Sequence, residues 1–314
     1  MTIRGIPDTV LARLRKAAAK SRRSLNAEVL TILEAAAATS RVSAEGPSPG
    51  RPGIARSHRP RDDRTAPDYT GRVVLVTGAA RGLGRAAAER FLERGASVAL
   101  HVRDQRRADD AARSLADPAR CMPISGDLER EEIPAQLVHQ VLTHFGRLDV
   151  LVNNAALPYT TRFEQIPLEE WRRALAVNLT APFLLTRAAL PAMKRQGYGR
   201  IVNISSTAGR MVSTLGGAHY TTTKTGLLGL TRASAKELGK YGITVNAVCP
   251  GMIDTELTRE SATQEELARY ARGYPVPRLG TAREVADVIC FAASEAAGYI
   301  TGAVFDINGG DLMM

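Results

Sequence analysis

The chain of 314 residues has only three cysteines, Cys121, Cys249 and Cys290, and they stand far apart. It has no Cys-x-x-Cys pair and no Cys/His cluster, so neither a metal site nor a disulfide framework is expected. So low a thiol count fits a reducing cytoplasm, and a cytoplasmic protein is expected. Long apolar runs are scarce, and no membrane-spanning segment is expected. The first residues lack the apolar block of a signal peptide, because arginines interrupt their apolar positions.

The remaining composition is that of a soluble globular chain, 44% apolar and 24% charged. The length suits one large domain or two of unequal size. Charge is distributed unevenly. Residues 1–70 hold 13 Lys+Arg against 7 Asp+Glu, whereas the other 244 hold 29 against 25, so most of the net +10 lies in the first quarter. A local basic excess fits a polyanion such as DNA, or a solvated tail.

Residues 41–70 are rich in Pro, Gly, Ser and Arg without apolar periodicity and read as a flexible linker. They separate a short unit, 1–40, from a long one, 71–314. The long unit alternates "RVVLVTG", "SVALHV", "DVLVNN", "GRIVNISS", "ITVNAVCPG" and "AVFDING" with helical stretches such as "WRRALAVNLTAPFLLTRAALPAMKRQG". Continuous apolar, β-branched-rich strands between helices predict an α/β fold with a doubly wound parallel sheet. In the short unit, "TIRGI" is strand-like and Pro7 opens a helix. Ser24 caps a second helix after "KSRRS".

"TGAARGLG" (77–84) follows the first strand and opens a helix. Gly78, Gly82 and Gly84, with Leu83 between them, permit a tight turn on which phosphate meets backbone N–H groups at a helix N-terminus. The second strand ends "ALHVRD". At the position where a carboxylate would bind a ribose 2′-hydroxyl stands Val102, followed by Arg103, with Arg81 in the glycine turn as a second cation. Two arginines favour a 2′-phosphate and hence NADP; the alternative gives the acidic role to Asp104 and favours NAD. Further on, Tyr220 and Lys224 lie four residues apart, on one face of a helix.

These stretches, with "GDL" (126–128), "NNAA" (153–156), Asn178 in "VNLTAPF", Ser206 in "ISS", "YTTTK" (220–224) and "PGMIDT" (250–255), resemble in order the short-chain dehydrogenase/reductase family over residues 71–312, in particular its 3-oxoacyl-carrier-protein-reductase-like branch. The resemblance implies a Rossmann-like sheet and hydride transfer between NADP(H) and a carbonyl/alcohol substrate, such as a 3-oxoacyl thioester. It makes Tyr220 the general acid or base. Lys224 would lower the phenol pKa and hold the nicotinamide ribose. Ser206 would orient the carbonyl, with Ser205 as the alternative, and Asn178 would hold a relay water. It places the cofactor on Gly78, Arg81, Gly82, Leu83, Gly84, Arg103, Asp127, Leu128, Asn154, Ala155, Pro250, Gly251, Ile253 and Thr255, together with Tyr220 and Lys224. Ala156 departs from the family's usual glycine, and residues 256–280 correspond to a substrate lid.

Residues 2–38 resemble the ribbon–helix–helix repressors of the Arc and antitoxin kind. That implies a dimeric DNA-binding unit in which Thr2 and Arg4 face bases and Ser24 clamps phosphate. The other reading is an oligomerising hairpin; a start codon taken too far upstream would also produce the fusion. A homo-oligomer, dimer or tetramer, is expected. The competing function is a DNA-binding regulator that uses its reductase-like domain as a cofactor or ligand sensor.

Overall fold

A computed structural model of the chain describes residues 67–213 and 215–314. The ribbon–helix–helix expectation, with Thr2, Arg4 and Ser24, lies outside the described residues, as does most of the linker. The described part starts earlier than composition implied. Tyr69, read as linker, is buried edge-on against Phe91 at 4.8 Å, and its hydroxyl donates to the Cys290 carbonyl.

Seven parallel strands form the main sheet: β1 (Val73–Thr77), β2 (Ser97–Val102), β3 (Cys121–Ser125), β4 (Val150–Asn153), β5 (Gly199–Ile204), β6 (Ile243–Pro250) and β9 (Val304–Ile307). Their spatial order is β3-β2-β1-β4-β5-β6-β9. Strand order reverses between β1 and β4, which opens a crevice at the carboxyl ends of those two strands. Period-2 alternation feeds two cores. Val74 and Val76 of β1 pack with Phe91 of α1 (Gly82–Glu93) and Ile289 of α9 (Ala282–Ala292). Val73 and Leu75 pack on the other side with Leu137 of α3 (Ile133–Phe145) and Leu185 of α5 (Ala181–Gln196). Helices on both faces explain why the strands read as continuous apolar runs.

Strand β3 is not among the strands expected from the sequence. Pro123 and a mostly half-buried pattern hide it, as fits an edge strand, where one side of the ladder needs no donor. A second, two-stranded sheet of β7 (Ile253–Asp254) and β8 (Gly280–Thr281) also went unread. The helix read as one piece from Trp171 is three: α4 (Leu168–Leu175), a π turn (Ala176–Thr180) and α5. This stretch, Leu168–Gln196, is long and apolar enough by composition to cross a membrane, contrary to the expectation of no such segment. Here it covers the sheet, with Leu185 and Met193 fully buried in the second core.

One buried charge ties the N-terminal edges of β1 and β4. Asp149 is inaccessible and accepts from the Val73 amide at 2.9 Å, from Arg72 at 3.1 Å, and from Arg147 at 2.8 and 2.7 Å. Asp149→Ala is expected to cost about 3 kcal/mol, the range for deleting a buried charged acceptor. Urea unfolding of the full chain measures it, and a loss under about 1 kcal/mol would show that the carboxylate does not tie the strands.

Candidate active site

The β1–α1 turn is built from close backbone contacts. A Cβ on Gly84 would lie 2.4 Å from the Gly78 carbonyl and 2.5 Å from the Asn154 amide; one on Gly78 would lie 2.9 Å from the Ala155 Cα. Gly78 and Gly82 both have positive φ, 66° and 58°. Asn154 at the end of β4 donates to the Thr77 and Gly78 carbonyls at 2.9 and 3.1 Å. Thr77 Oγ1 in return accepts the amides of Asn154 and Ala155. From β2, the buried His101 accepts the Gly78 amide on Nδ1 and donates from Nε2 to the Gly126 carbonyl at 2.9 Å. Burial lowers its pKa, which favours the neutral ring these two bonds require.

Above this turn opens a cavity of about 540 Å³. Gly78, Arg81, Gly82 and Leu83 line it from the turn, Asn154 and Ala155 from β4, and Arg103, Asp127 and Leu128 from the far strands. Pro250, Gly251, Ile253 and Thr255 close its other side, with Ser206, Tyr220 and Lys224 on its floor. Two anticipated residues do not line it. Gly84 packs behind the turn. Asn178, in the π turn, is buried with its side chain committed: Oδ1 accepts the Leu157 amide at 2.7 Å and Nδ2 donates to the Leu157 carbonyl and Thr223. The relay water expected on Asn178 therefore finds its side chain already bonded.

Tyr220 and Lys224 share α6 (Ala218–Leu238), whose Ser-proximal turn faces the end of β5. Lys224 Nζ lies 5.6 Å from the Tyr220 ring centre and donates to the Ile204 carbonyl at 2.7 Å. Both serines border the cavity, but their hydroxyls have different partners. Ser205 Oγ turns into α6 and donates to the Lys224 carbonyl at 2.9 Å, while Ser206 lines the cavity and hydrogen-bonds Tyr220. Burial pushes Lys224 down to about 8. It also raises the Tyr220 phenol, against which the Ser206 hydrogen bond works. With burial the largest influence, the phenol lies above its ordinary value rather than below it.

At the other end, Asp104 is the N-cap of α2 (Gln105–Arg113), its carboxylate accepting the Arg107 amide at 3.0 Å. That engagement disfavours the acidic alternative at the ribose position. Arg107, which the sequence reading passed over, lines the cavity beside Arg103. Its only signal was a spacing of one turn from an N-cap aspartate. His219, in the first turn of α6, is buried, stacked on Tyr159 at 5.3 Å and bonded to Glu170 at 2.7 Å.

A family model described as enoyl-(acyl carrier protein) reductase matches residues 78–311, and one described as antitoxin FitA-like, ribbon-helix-helix, matches residues 1–37. The 3-oxoacyl-[acyl-carrier-protein] reductase of Aquifex aeolicus is 39% identical over 243 residues, 76% of this chain and 97% of that protein. Its namesake from Synechocystis is 39% identical over 247 residues, 78% and 98% of the two chains. The Escherichia coli protein of that name is 35% identical over 250 residues, 79% and 100%.

The lowered Lys224 has a consequence for stability. Between about 8 and its ordinary value of 10.5 the unfolded chain holds a proton that the folded chain has released, so stability rises with pH through that window and the penalty is fully present below it. Lys224→Met is therefore expected to stabilise the protein at pH 7, by up to about 3 kcal/mol, and to lose that advantage by pH 10.5. Paired urea titrations at the two pH values test this; a gain that is equal at both would contradict it.

Proposed function

The chain belongs to the short-chain dehydrogenase/reductase family and is an oxidoreductase, and we propose that it passes a hydride between NADP(H) and a carbonyl/alcohol pair, a 3-oxoacyl thioester or similar ketone. The observation that carries this reading is the meeting of Ser206, Tyr220 and Lys224 on the floor of one cavity whose other end is a glycine turn. The donor set fits a dinucleotide. The α1 N-terminus has no side-chain cap, so its first amides are free to meet phosphate, and the glycines keep side chains out of their path. Bound there, a reduced nicotinamide supplies the hydride, and the protein supplies position and protons.

In reduction, Tyr220 donates its phenolic proton to the carbonyl oxygen, and its raised pKa keeps that proton available at neutral pH. Ser206 shares the hydrogen bond and fixes the oxygen as charge develops on it. Lys224, cationic below about 8, stabilises the phenolate left behind. At the ribose end, Arg81, Arg103 and Arg107 form a cationic set, and capping occupies the Asp104 carboxylate, which supports NADP over NAD. An apolar rim agrees with an acyl substrate: Leu157 and Leu257 line the cavity, and the exposed Met211 and Val212 sit in the segment between Ser206 and Tyr220. Names of the relatives supply the thioester.

The domain reading is part of the proposal: residues 1–40 as a dimeric ribbon–helix–helix unit that contacts DNA through Thr2, Arg4 and Ser24, then a linker, then a cytoplasmic, homo-oligomeric catalytic unit.

NADPH oxidation against a panel of ketones and acetoacetyl thioesters is the direct test. The thioesters are expected to turn over, and inertness across the panel would end the enzyme reading. Tyr220→Phe is expected to lower kcat at least 100-fold, the scale of lost general acid catalysis, while NADPH binding is kept. Near-normal rates would remove Tyr220 from its role. For the first unit, a gel shift on promoter DNA with the full chain is expected to weaken at least tenfold in Arg4→Ala, and equal shifts would favour an oligomerising role.

A further inference from the structure

The lid carries two carboxylates toward the cofactor turn. Helix α7 (Glu256–Ser261) is capped by Thr255, and Glu256 and Glu260, four residues apart, lie on one face of it. Glu256 Oε2 lies 3.9 Å from where a Cβ on Gly82 would sit. Glu260 binds the Arg81 guanidinium with both oxygens, the second at 3.1 Å. Among the described residues, the other side-chain hydrogen bonds of α7 reach only α7 itself and the adjoining residues 253–255: Thr258 to the Ile253 carbonyl, Arg259 to Asp254 and Ser261 to the Leu257 carbonyl. The pair with Arg81 is thus a direct tie from lid helix to glycine turn, and it occupies one of the three arginines assigned to the ribose end.

We propose that Glu260 is a specificity-determining residue, an internal competitor for Arg81 that only a cofactor carrying a 2′-phosphate displaces. The proposal rests on the NADP reading given above. A phosphate at neutral pH carries up to two negative charges and three acceptor oxygens, so it outbids a single carboxylate for a guanidinium fork. A ribose 2′-hydroxyl offers no charge and leaves the pair intact. Binding of the phosphorylated cofactor therefore exchanges Glu260 for phosphate and unties α7 from the turn, whereas the unphosphorylated cofactor binds with the tie in place. Glu260 subtracts from the affinity for NADPH alone, and it holds the preference between the two cofactors below what three arginines would set.

The pair is exposed, 53% and 57% at the two side chains, so its worth is that of a surface ion pair. NADPH and NADH are titrated by nicotinamide fluorescence into the full-length wild type, Glu260→Gln and Glu260→Ala at one ionic strength. Both variants are expected to bind NADPH roughly two- to fivefold more tightly, with NADH unchanged. An unchanged NADPH constant overturns the proposal, and so does an equal tightening toward NADH, which would mark a general field effect. A wild type without preference for NADPH is a separate failure, read from the wild-type titrations alone: it overturns the NADP reading and this inference with it.

Discussion

The structure hangs on how closely three backbone segments meet at the end of β1. Gly84 brings α1 against the Gly78 carbonyl with room for hydrogen and no carbon. The Asn154 amide clamps the same carbonyls from β4, and His101 holds the Gly78 amide from β2. Three neighbouring strands are thereby referenced to one turn. Because the turn is locked from three sides, the uncapped N-terminus of α1 points along the crevice where strand order reverses. Helix α6 then has a fixed neighbour across the crevice, and the floor residues reach a place that the cofactor turn already defines.

Burial is the second lever, and it acts on the two ends of the cavity differently. On the floor, Lys224 is shut in with carbonyls, Ile204 above all, and its cationic form is weakened. The cost to stability of burying that ammonium is the familiar signature of a functional site. At the other end Arg81, Arg103 and Arg107 are exposed. There Arg81 is paired with Glu260, and the Asp104 carboxylate caps α2.

The six strands recognised in the sequence were legible because each is a short, largely apolar run between helical stretches, unbroken and β-branched-rich in β1, the pattern of a strand covered on both faces. Edge strand β3 was not, since four of its five residues are only half-buried and one is proline. The π turn at Ala176–Thr180 hid for another reason: a single extra residue in a helix leaves the apolar periodicity on either side intact, so the stretch reads through. The same stretch has the length and hydropathy of a membrane span, and only its burial against the sheet distinguishes it. At the site, glycine spacing and Tyr-x-x-x-Lys were visible as local patterns. That Ser205 bonds the Lys224 carbonyl and Ser206 bonds Tyr220 was not, because the order of two serines along the chain does not say which one meets the phenol.

By itself, the sequence determined six of the seven main-sheet strands, the glycine turn and the Tyr220–Lys224 face, all properties of residues within a few positions of each other. Tertiary structure alone decided that Asn178 is spent on Leu157, that Arg107 joins the arginines, and that Glu260 lies on Arg81. The physical reason is range. Helix and strand periodicity is set by backbone geometry between near neighbours, whereas a charge or hydrogen bond depends on distance in space, and residues 81 and 260 meet only after the whole sheet has formed between them.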